Sequence, residues 1–159
     1  MHKITPCLWF HGDAEAAANF YVTLVPDSRI DRIFRSPVDT HSGPAGSVLT
    51  VEFTLAGQPY LGLNGGPQFS LNEAVSFQIH TVDQAETDRL WAALLANGGT
   101  ELACSWIKDR WGLAWQIVPH RLEELIHDPD PGRSRRAMEA MMQMVKIDIA
   151  ALERAVADA

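Results

Sequence analysis

A length of 159 residues suits one domain, or two small modules that share a core, and 47% hydrophobic residues are typical of a globular protein. The formal net charge of −7 at pH 7 argues against a surface that binds nucleic acid phosphates. No apolar run approaches the roughly 18 residues that span a bilayer, and the first residues lack the pattern of a signal peptide. We therefore predict a cytoplasmic protein that has neither nucleic acid nor a membrane as a partner.

The first half of the sequence alternates between strand and helix patterns. An apolar strand pattern over residues 4–10 precedes a helix that Asp13 is suited to cap. The apolar residues of this helix, spaced i, i+3, i+4 and i+7, are Ala17, Phe20, Tyr21 and Leu24. Further strands are predicted over 28–35, 47–55 and 58–64. The segment 36–46 is rich in Pro, Gly and Ser, which is typical of a loop, and it is a candidate lid.

A tight turn at Ala56-Gly57 predicts the pairing of the strands on either side of it. A two-residue loop places Phe53 opposite Tyr60, Val51 opposite Gly62, and Leu49 opposite Asn64. Glu52 then lies on the other face of the hairpin.

The second half repeats the same order of elements. A strand over 75–81 is followed by Asp83 and Glu86, which have the spacing of a helix capping box. Thr87, Leu90, Trp91 and Leu94 repeat the i, i+3, i+4, i+7 spacing of a helix, and Gly98-Gly99 ends it. Strands are predicted over 100–105, 106–108 and 113–119. The sequence therefore predicts an α+β protein with two tandem βαβββ modules, at about 4–69 and about 70–119, within a domain over 1–127.

Residues 128–159 differ from the modules, and we predict a C-terminal helical extension that packs on the domain or on a partner subunit. A linker at 128–132 precedes a helix with Met138, Met141, Met142 and Val145 on one face. Such a methionine stripe is typical of core packing or a subunit contact, and less often of a binding groove. Asp148 is suited to cap a last helix.

Strand alternation suggests a set of candidate ligand-binding residues on one face of the sheet, facing a hollow. These residues are Phe10, Tyr60, Asn64, Ser76, Gln78, His80 and Gln116. Convergent amides and hydroxyls in an apolar cavity can orient a small, partly polar organic ligand. The alternative is that these groups satisfy one another, or water, in a filled interior.

Signals for metal binding and catalysis are sparse. His80 is the best metal-ligand candidate, with His11 as a second, and the remaining histidines form no constellation in the sequence. Glu52 would suit a general base if buried, but the hairpin register favours a solvated or ion-paired carboxylate. Asp109 is predicted to bond backbone N–H groups in a turn. Cys7 and Cys104 are predicted to be buried free thiols.

Six segments, taken in order, resemble the PhnB-like branch of the vicinal oxygen chelate superfamily, which includes glyoxalase I, extradiol dioxygenases and bleomycin-resistance proteins. They are CLWFHGDAEAAANFY, GSVLTVEF, LNGGPQFSLNEAVSFQIH, WIKDRWGLAWQIVP, DPDP and MMQMVKIDIAALERA. The resemblance implies a cupped, mostly antiparallel sheet whose hollow holds the ligand. In metal-dependent members, four inward side chains, typically His, Gln or Glu, bind one divalent ion.

The resemblance places those four positions near Pro6, Gly62 or Asn64, Ser76, and Gln116. Side chains of these types are poor metal donors, so we predict no tight metal site and no cofactor. Sequences of this branch often carry the description demethylubiquinone methyltransferase. The glycines of GLNGGP follow a strand but lead to another strand, so they do not form a glycine-rich turn before a helix that would suit S-adenosylmethionine. We interpret them as turn and bulge glycines.

Two classes of function follow from the residues and the resemblance. The first is a homodimeric protein that binds a small, partly polar organic ligand without a tight metal site. The second is an enzyme of the superfamily, either a metal-dependent lyase, isomerase or dioxygenase, or a methyltransferase.

Overall fold

A computed structural model describes residues 3–157, which form two compact units that divide between Leu71 and Asn72. The first unit contains one helix and four strands. In chain order they are β1 (Cys7–Phe10), α1 (Ala14–Tyr21), β2 (Arg29–Arg35), β3 (Val48–Leu55) and β4 (Gln58–Asn64). The sheet order is β1-β4-β3-β2, with β1 parallel to β4 and the other pairs antiparallel.

The register of the β3–β4 hairpin is the predicted one. Phe53 pairs with Tyr60, and Val51 pairs with Gly62. Positive φ angles of 46° at Ala56 and 79° at Gly57 fit a two-residue turn whose twist matches that of the strands. Local turn chemistry therefore determines this part of the sheet.

Helix α1 covers one face of the first sheet. Tyr21 is fully buried, and its ring centroid lies 6.2 Å from that of Phe53. Gly62 lies inside β4 beneath this helix, where a Cβ atom would come within 3.2 Å of the Ala14 Cβ. The interpretation of Gly62 as a turn or bulge glycine is therefore wrong, because its role is to let the helix approach the sheet.

The N-terminus of α1 is capped by a residue that is distant in the sequence. The Asp13 side chain makes no capping hydrogen bond, contrary to the prediction. Instead, the Ala14 N–H donates to Oδ1 of Asn64 at 2.9 Å, and Nδ2 of Asn64 donates to the Val48 carbonyl at 2.9 Å. Asn64 therefore joins the helix to two strands.

The loop over 36–46 is folded back on itself. Thr40 and Gly43 form an isolated antiparallel bridge, and the N–H of Ser36 donates to the carbonyl of Ser47 at 3.0 Å. The role of this loop as a lid stays a prediction.

The second unit begins with the same order of elements. They are β5 (Ser76–Thr81), α2 (Gln84–Ala96), β6 (Thr100–Glu101), β7 (Trp106–Lys108) and β8 (Ala114–Pro119). The sheet order β5-β8-β7-β6, with β5 parallel to β8, corresponds strand for strand to the order in the first unit. The predicted tandem βαβββ modules of an α+β protein are confirmed.

Two features of the second unit show where local signals succeed and fail. Asp83 caps α2 as predicted, because its side chain accepts from the Glu86 N–H at 2.8 Å. The predicted strand over 100–105 is shorter, since Cys104 and Ser105 have φ angles of 56° and 73°. Their N–H groups donate to the carbonyls of Met144 and Val145 rather than to a sheet partner.

Three helices complete the second unit: α3 (His120–Ile126), α4 (Pro131–Met141) and α5 (Ile149–Ala157). Helix α3 was not predicted. Buried side chains join these helices to the end of β8, and they are Val118, Leu122, Leu125, Ala137, Ile147, Leu152 and Val156. Met141 and Met144 pack against this core, whereas Met138 and Met142 are exposed. The methionine stripe is therefore only partly core, and the predicted boundary at residue 127 stays a prediction.

Among residues 3–157, every helix is too short or too polar to cross a lipid bilayer.

Candidate functional site

Along β5 and β8, the side chains that pack beneath α2 alternate with polar side chains that point to the other face of the sheet. Phe77 and Trp115 pair with each other, and their rings meet edge to face at 5.5 Å. Ile117 and Trp115 are buried on the face that α2 covers. Ser76, Gln78, His80 and Gln116 alternate with these residues and therefore share the face opposite α2.

Three of these polar side chains form a hydrogen-bonded row. Gln78 and Gln116 are opposite each other in the parallel pair, and Nε2 of Gln78 donates to Oε1 of Gln116 at 3.0 Å. Nε2 of Gln116 donates in turn to Oγ of Ser76 at 2.7 Å. We call Ser76, Gln78 and Gln116 the polar row. The polar groups of this row therefore hydrogen-bond to one another. The sequence left this arrangement open as an alternative to ligand binding.

A pocket of about 240 Å³ lies over part of the polar row. Its apolar walls come from the sheet and from α3 and α4, and they include Trp106, Val118, Leu122, Ile126 and Met141. Polar groups of Gln78, Gln116, Glu123 and His127 also border it. The pocket combines an apolar wall with the amides of Gln78 and Gln116, which are hydrogen-bonded to each other.

His80 does not join the polar row but lies in a cluster with two residues of α3. Nδ1 of His80 lies 3.2 Å from Oε2 of Glu123, and Nδ1 of His120 lies 3.5 Å from the same oxygen. The two imidazole rings stack with centroids 5.7 Å apart and planes 10° apart. We call these three residues the His–His–Glu cluster. Sequence reasoning missed His120 and Glu123, although their i, i+3 spacing at the start of a helix was a usable signal.

In the first unit, the predicted orientation of all three candidate residues, Phe10, Tyr60 and Asn64, is wrong, because they lie on the face that α1 covers. Phe10 is buried on the face that α1 covers, beside Gly62. Asn64 lies on the same face, with both side-chain polar atoms bonded to backbone. Tyr60 stacks on Phe53 with centroids 5.6 Å apart, and burial raises the pKa of its hydroxyl above the ordinary value. The predicted hairpin register is correct. The face predicted to point to the hollow is, however, the face that α1 covers.

A second pocket, of about 520 Å³, lies on the first unit. The residues that line it are Thr5, Arg29, Asp31, Glu52, Phe53, Thr54, Gly57, Pro59, Tyr60 and Leu61. Its charged groups are already paired, since Arg29 lies 2.7 Å from Asp31 and Arg32 donates to Glu52. Glu52 is therefore ion-paired and only half-buried, which does not suit a general base that relies on burial.

The four positions that the resemblance assigns to a metal do not fit a metal here. Pro6 and Gly62 have no side-chain donor atom, and the Oδ1 of Asn64 is used to cap α1. Ser76 and Gln116 offer only a hydroxyl and an amide, which are bonded to each other. Neutral oxygens of this kind are weak ligands for a transition metal.

The surroundings of Cys7 do not favour a nucleophile. Cys7 is exposed, contrary to the prediction of burial, and Cys104 is half-buried; both are free thiols. Partial desolvation raises the pKa of the Cys7 thiol above its ordinary value. A raised pKa lowers the fraction of reactive thiolate at neutral pH.

The two four-stranded mixed sheets, each with its helix, define a protein of the vicinal oxygen chelate superfamily. Residues 2–118 match the family model described as 3-demethylubiquinone-9 3-methyltransferase, and the chain belongs to this PhnB-like family. It is similar to a Bacillus cereus PhnB protein that is also described as a 3-demethylubiquinone-9 3-methyltransferase. The identity is 31% over 74% of this chain and 99% of the relative, and the TM-score is 0.66.

A second solved structure, of protein PA1353 from Pseudomonas aeruginosa, shares the fold. Its identity is 18% over 75% of this chain and 98% of that protein, with a TM-score of 0.60. Comparison with curated proteins gives no match.

Proposed function

We propose that this protein binds a small, partly polar organic molecule in the pocket over the polar row. The observation that supports the proposal most directly is that Gln78 and Gln116, which are hydrogen-bonded in the polar row, line a pocket whose walls are largely apolar. A primary amide has two N–H donors and a carbonyl oxygen with two lone pairs. The row uses one N–H of each glutamine, so both amides keep hydrogen-bonding capacity for a ligand.

The volume of the pocket limits the size of the proposed ligand. At about 240 Å³, it is smaller than the roughly 300–1,000 Å³ of sites that enclose drug-sized molecules. We therefore expect a single-ring or short-chain compound. Its apolar part would contact Trp106, Val118 and Leu122, and its polar group would bond to Gln116 or Gln78.

Benzamide is a suitable probe because it combines one ring with one amide. Titration of benzamide into the full chain, followed by NMR of the glutamine side-chain amides, is expected to shift the signals of Gln78 and Gln116. The substitution Gln116→Leu removes both hydrogen bonds of the row and should weaken benzamide binding about tenfold, which corresponds to one lost hydrogen bond of about 1.4 kcal/mol.

The matched control is Gln143→Leu, since Gln143 is exposed and outside the pocket. It should leave benzamide affinity unchanged. Equal affinity in Gln116→Leu and the parent protein, with both proteins folded by circular dichroism, would contradict the proposal. Shifts centred on the pocket of the first unit would also contradict it.

The alternative is an enzyme of the superfamily, including the methyl transfer in the family's description. The glycines after β4 do not support methyl transfer. Gly66 has a φ of 95°, a conformation that favours glycine, and a Cβ at Gly65 would overlap the Trp9 ring at 2.3 Å. Both positions therefore have structural reasons to be glycine.

We also propose that the chain forms a homodimer. In the first sheet β2 is an edge strand, and it leaves Ile33 and Phe34 exposed to 38% and 46%. Exposed apolar side chains on a strand edge favour association with another surface. Light scattering at micromolar concentration is expected to give twice the mass of one chain, and a mass of 17.6 kDa would contradict the dimer. The cytoplasmic location and the exclusion of nucleic acid stay predictions.

A further inference from the structure

We propose that the His–His–Glu cluster binds a divalent transition metal ion, with Zn²⁺ as the reference ion. One ring nitrogen each from His80 and His120 and one carboxylate oxygen of Glu123 lie within 4.8 Å of one another. These residues differ from the positions that hold the metal in related proteins, so the site is a separate one within the second unit. It is also separate from the polar row, which His80 does not join.

The separations between donor atoms fit the geometry of zinc. With Zn–N and Zn–O bonds of about 2.0–2.1 Å, two ligands of a tetrahedral ion lie about 3.3 Å apart. Oε2 of Glu123 lies 3.2 Å from Nδ1 of His80 and 3.5 Å from Nδ1 of His120. Two of the three ligand–ligand distances are therefore already close to those of an occupied site. A ring nitrogen of His80 and one of His120 lie within 4.8 Å of each other, so centring an ion requires these side chains to rotate toward it.

The fold brings the three residues together through backbone that packing holds in place. His80 is near the end of β5 and pairs with Val118 of β8, and β8 leads directly into α3, whose first residue is His120. Glu123 follows one helical turn later on the same side of α3. Leu122, on the neighbouring position, is buried in the helical core and fixes the rotation of α3. The ligands thus come from a strand and a helix rather than from a mobile loop.

The chemistry of the donors selects the class of ion. Two imidazole nitrogens and one carboxylate suit zinc, nickel or copper, whereas magnesium and calcium prefer oxygen ligands alone. Without metal, the carboxylate of Glu123 interacts with the ring nitrogens of both histidines. A divalent ion between the three groups replaces those contacts with stronger ones.

Three protein ligands leave at least one position of a zinc ion for water or a further ligand. Glu123 also borders the 240 Å³ pocket. A metal ion in the cluster would therefore lie at the rim of the pocket. The metal test uses the ion alone, so its result does not depend on whether the pocket binds an organic molecule.

Isothermal titration of ZnCl₂ into the full chain, after treatment with a chelator and desalting, should show one site in each chain. Removal of a metal ligand by His120→Ala or His80→Ala, or replacement of the carboxylate by Glu123→Gln, should lower the affinity at least about tenfold. The matched control is His41→Ala, an exposed histidine of the first unit, which should leave the affinity unchanged. MgCl₂ should give no comparable binding.

A second measurement locates the ion without any substitution. Paramagnetic Co²⁺ should broaden the NMR signals of His80, His120 and Glu123 most strongly. The visible spectrum of the Co²⁺ complex should lack the charge-transfer band of a thiolate ligand, because the cluster contains no cysteine. Broadening centred on Cys7 or Cys104, or Zn²⁺ affinity that persists in the His80→Ala, His120→Ala double variant, would overturn the proposal. Loss of binding in the His41→Ala control would do the same.

Discussion

Replacement of Asp109 by Ala is expected to lower the free energy of unfolding by about 3–5 kcal/mol. Asp109 is only 5% exposed and lies in the turn between β7 and β8. Its Oδ1 accepts from the N–H groups of Trp111 and Leu113 at 2.9 and 3.0 Å, and its Oδ2 accepts from Nε1 of Trp115 at 3.0 Å. Alanine leaves these three donors without the carboxylate, and each unsatisfied buried donor costs about 1–3 kcal/mol.

Chemical denaturation followed by tryptophan fluorescence measures this loss. Asp109→Asn provides a graded comparison, because its carbonyl oxygen can still accept from Trp111 and Leu113 while its NH₂ group faces the Trp115 donor. We expect a loss of about 1–2 kcal/mol for this variant.

The control is Asp130→Ala. Asp130 is an exposed helix cap that accepts from the Gly132 N–H at 2.8 Å, and its loss should cost about 1 kcal/mol. If Asp109→Ala were no more destabilising than Asp130→Ala, the buried turn would not have the importance that its hydrogen bonds indicate.

Replacement of Leu152 by Ala is expected to destabilise the protein by about 3 kcal/mol. Leu152 is fully buried on α5, in the core that joins the C-terminal helices to Leu122 and Leu125 of α3. Truncation to Ala removes buried apolar surface and leaves a cavity that the surrounding helices fill only in part. Thermal and chemical unfolding measured by circular dichroism report the change.

Met142→Ala is the control for Leu152→Ala, since Met142 is 56% exposed at the end of α4. Its effect should stay within about 0.5 kcal/mol. Similar small effects at both positions would contradict the conclusion that the C-terminal helices share a core with the second unit.

Asp109 and Leu152 lie in the parts of the second unit that hold the candidate sites in place. The Asp109 turn determines where β8 begins, and β8 carries Gln116 of the polar row. The core around Leu152 holds α3, which carries His120 and Glu123. Destabilisation at either position is therefore expected to loosen a site without altering any residue of that site.

Much of the fold follows from signals that act over a few residues. The Ala56-Gly57 turn predicted the hairpin register, Asp83 predicted the start of α2, and Asp109 was predicted to bond backbone N–H groups. The repetition of these patterns predicted two βαβββ modules. These signals succeeded because the groups that interact are close together in the chain. The predicted Asp13 cap failed because the distant Asn64 caps α1 instead.

Strand alternation has a limit that the first sheet illustrates. It shows which residues share a face, but it does not show which face a helix covers. Phe10 and Asn64 were correctly grouped with Val51 and Phe53, yet the whole group lies beneath α1. The capping bond from the Ala14 N–H to Asn64 joins residues 50 positions apart, so no local pattern could predict it.

The sequence by itself determined the modules, the hairpin register, and which residues alternate with Gln78 on β5 and with Gln116 on β8, because each depends on periodicity or turn chemistry. Only the tertiary structure decided which face is covered and that His80 meets Glu123, 43 positions later in the chain. The contact between His80 and Glu123 requires the parallel pairing of β5 with β8 and the passage of the chain from β8 into α3. Distances between residues so far apart arise from packing, which no short segment encodes alone.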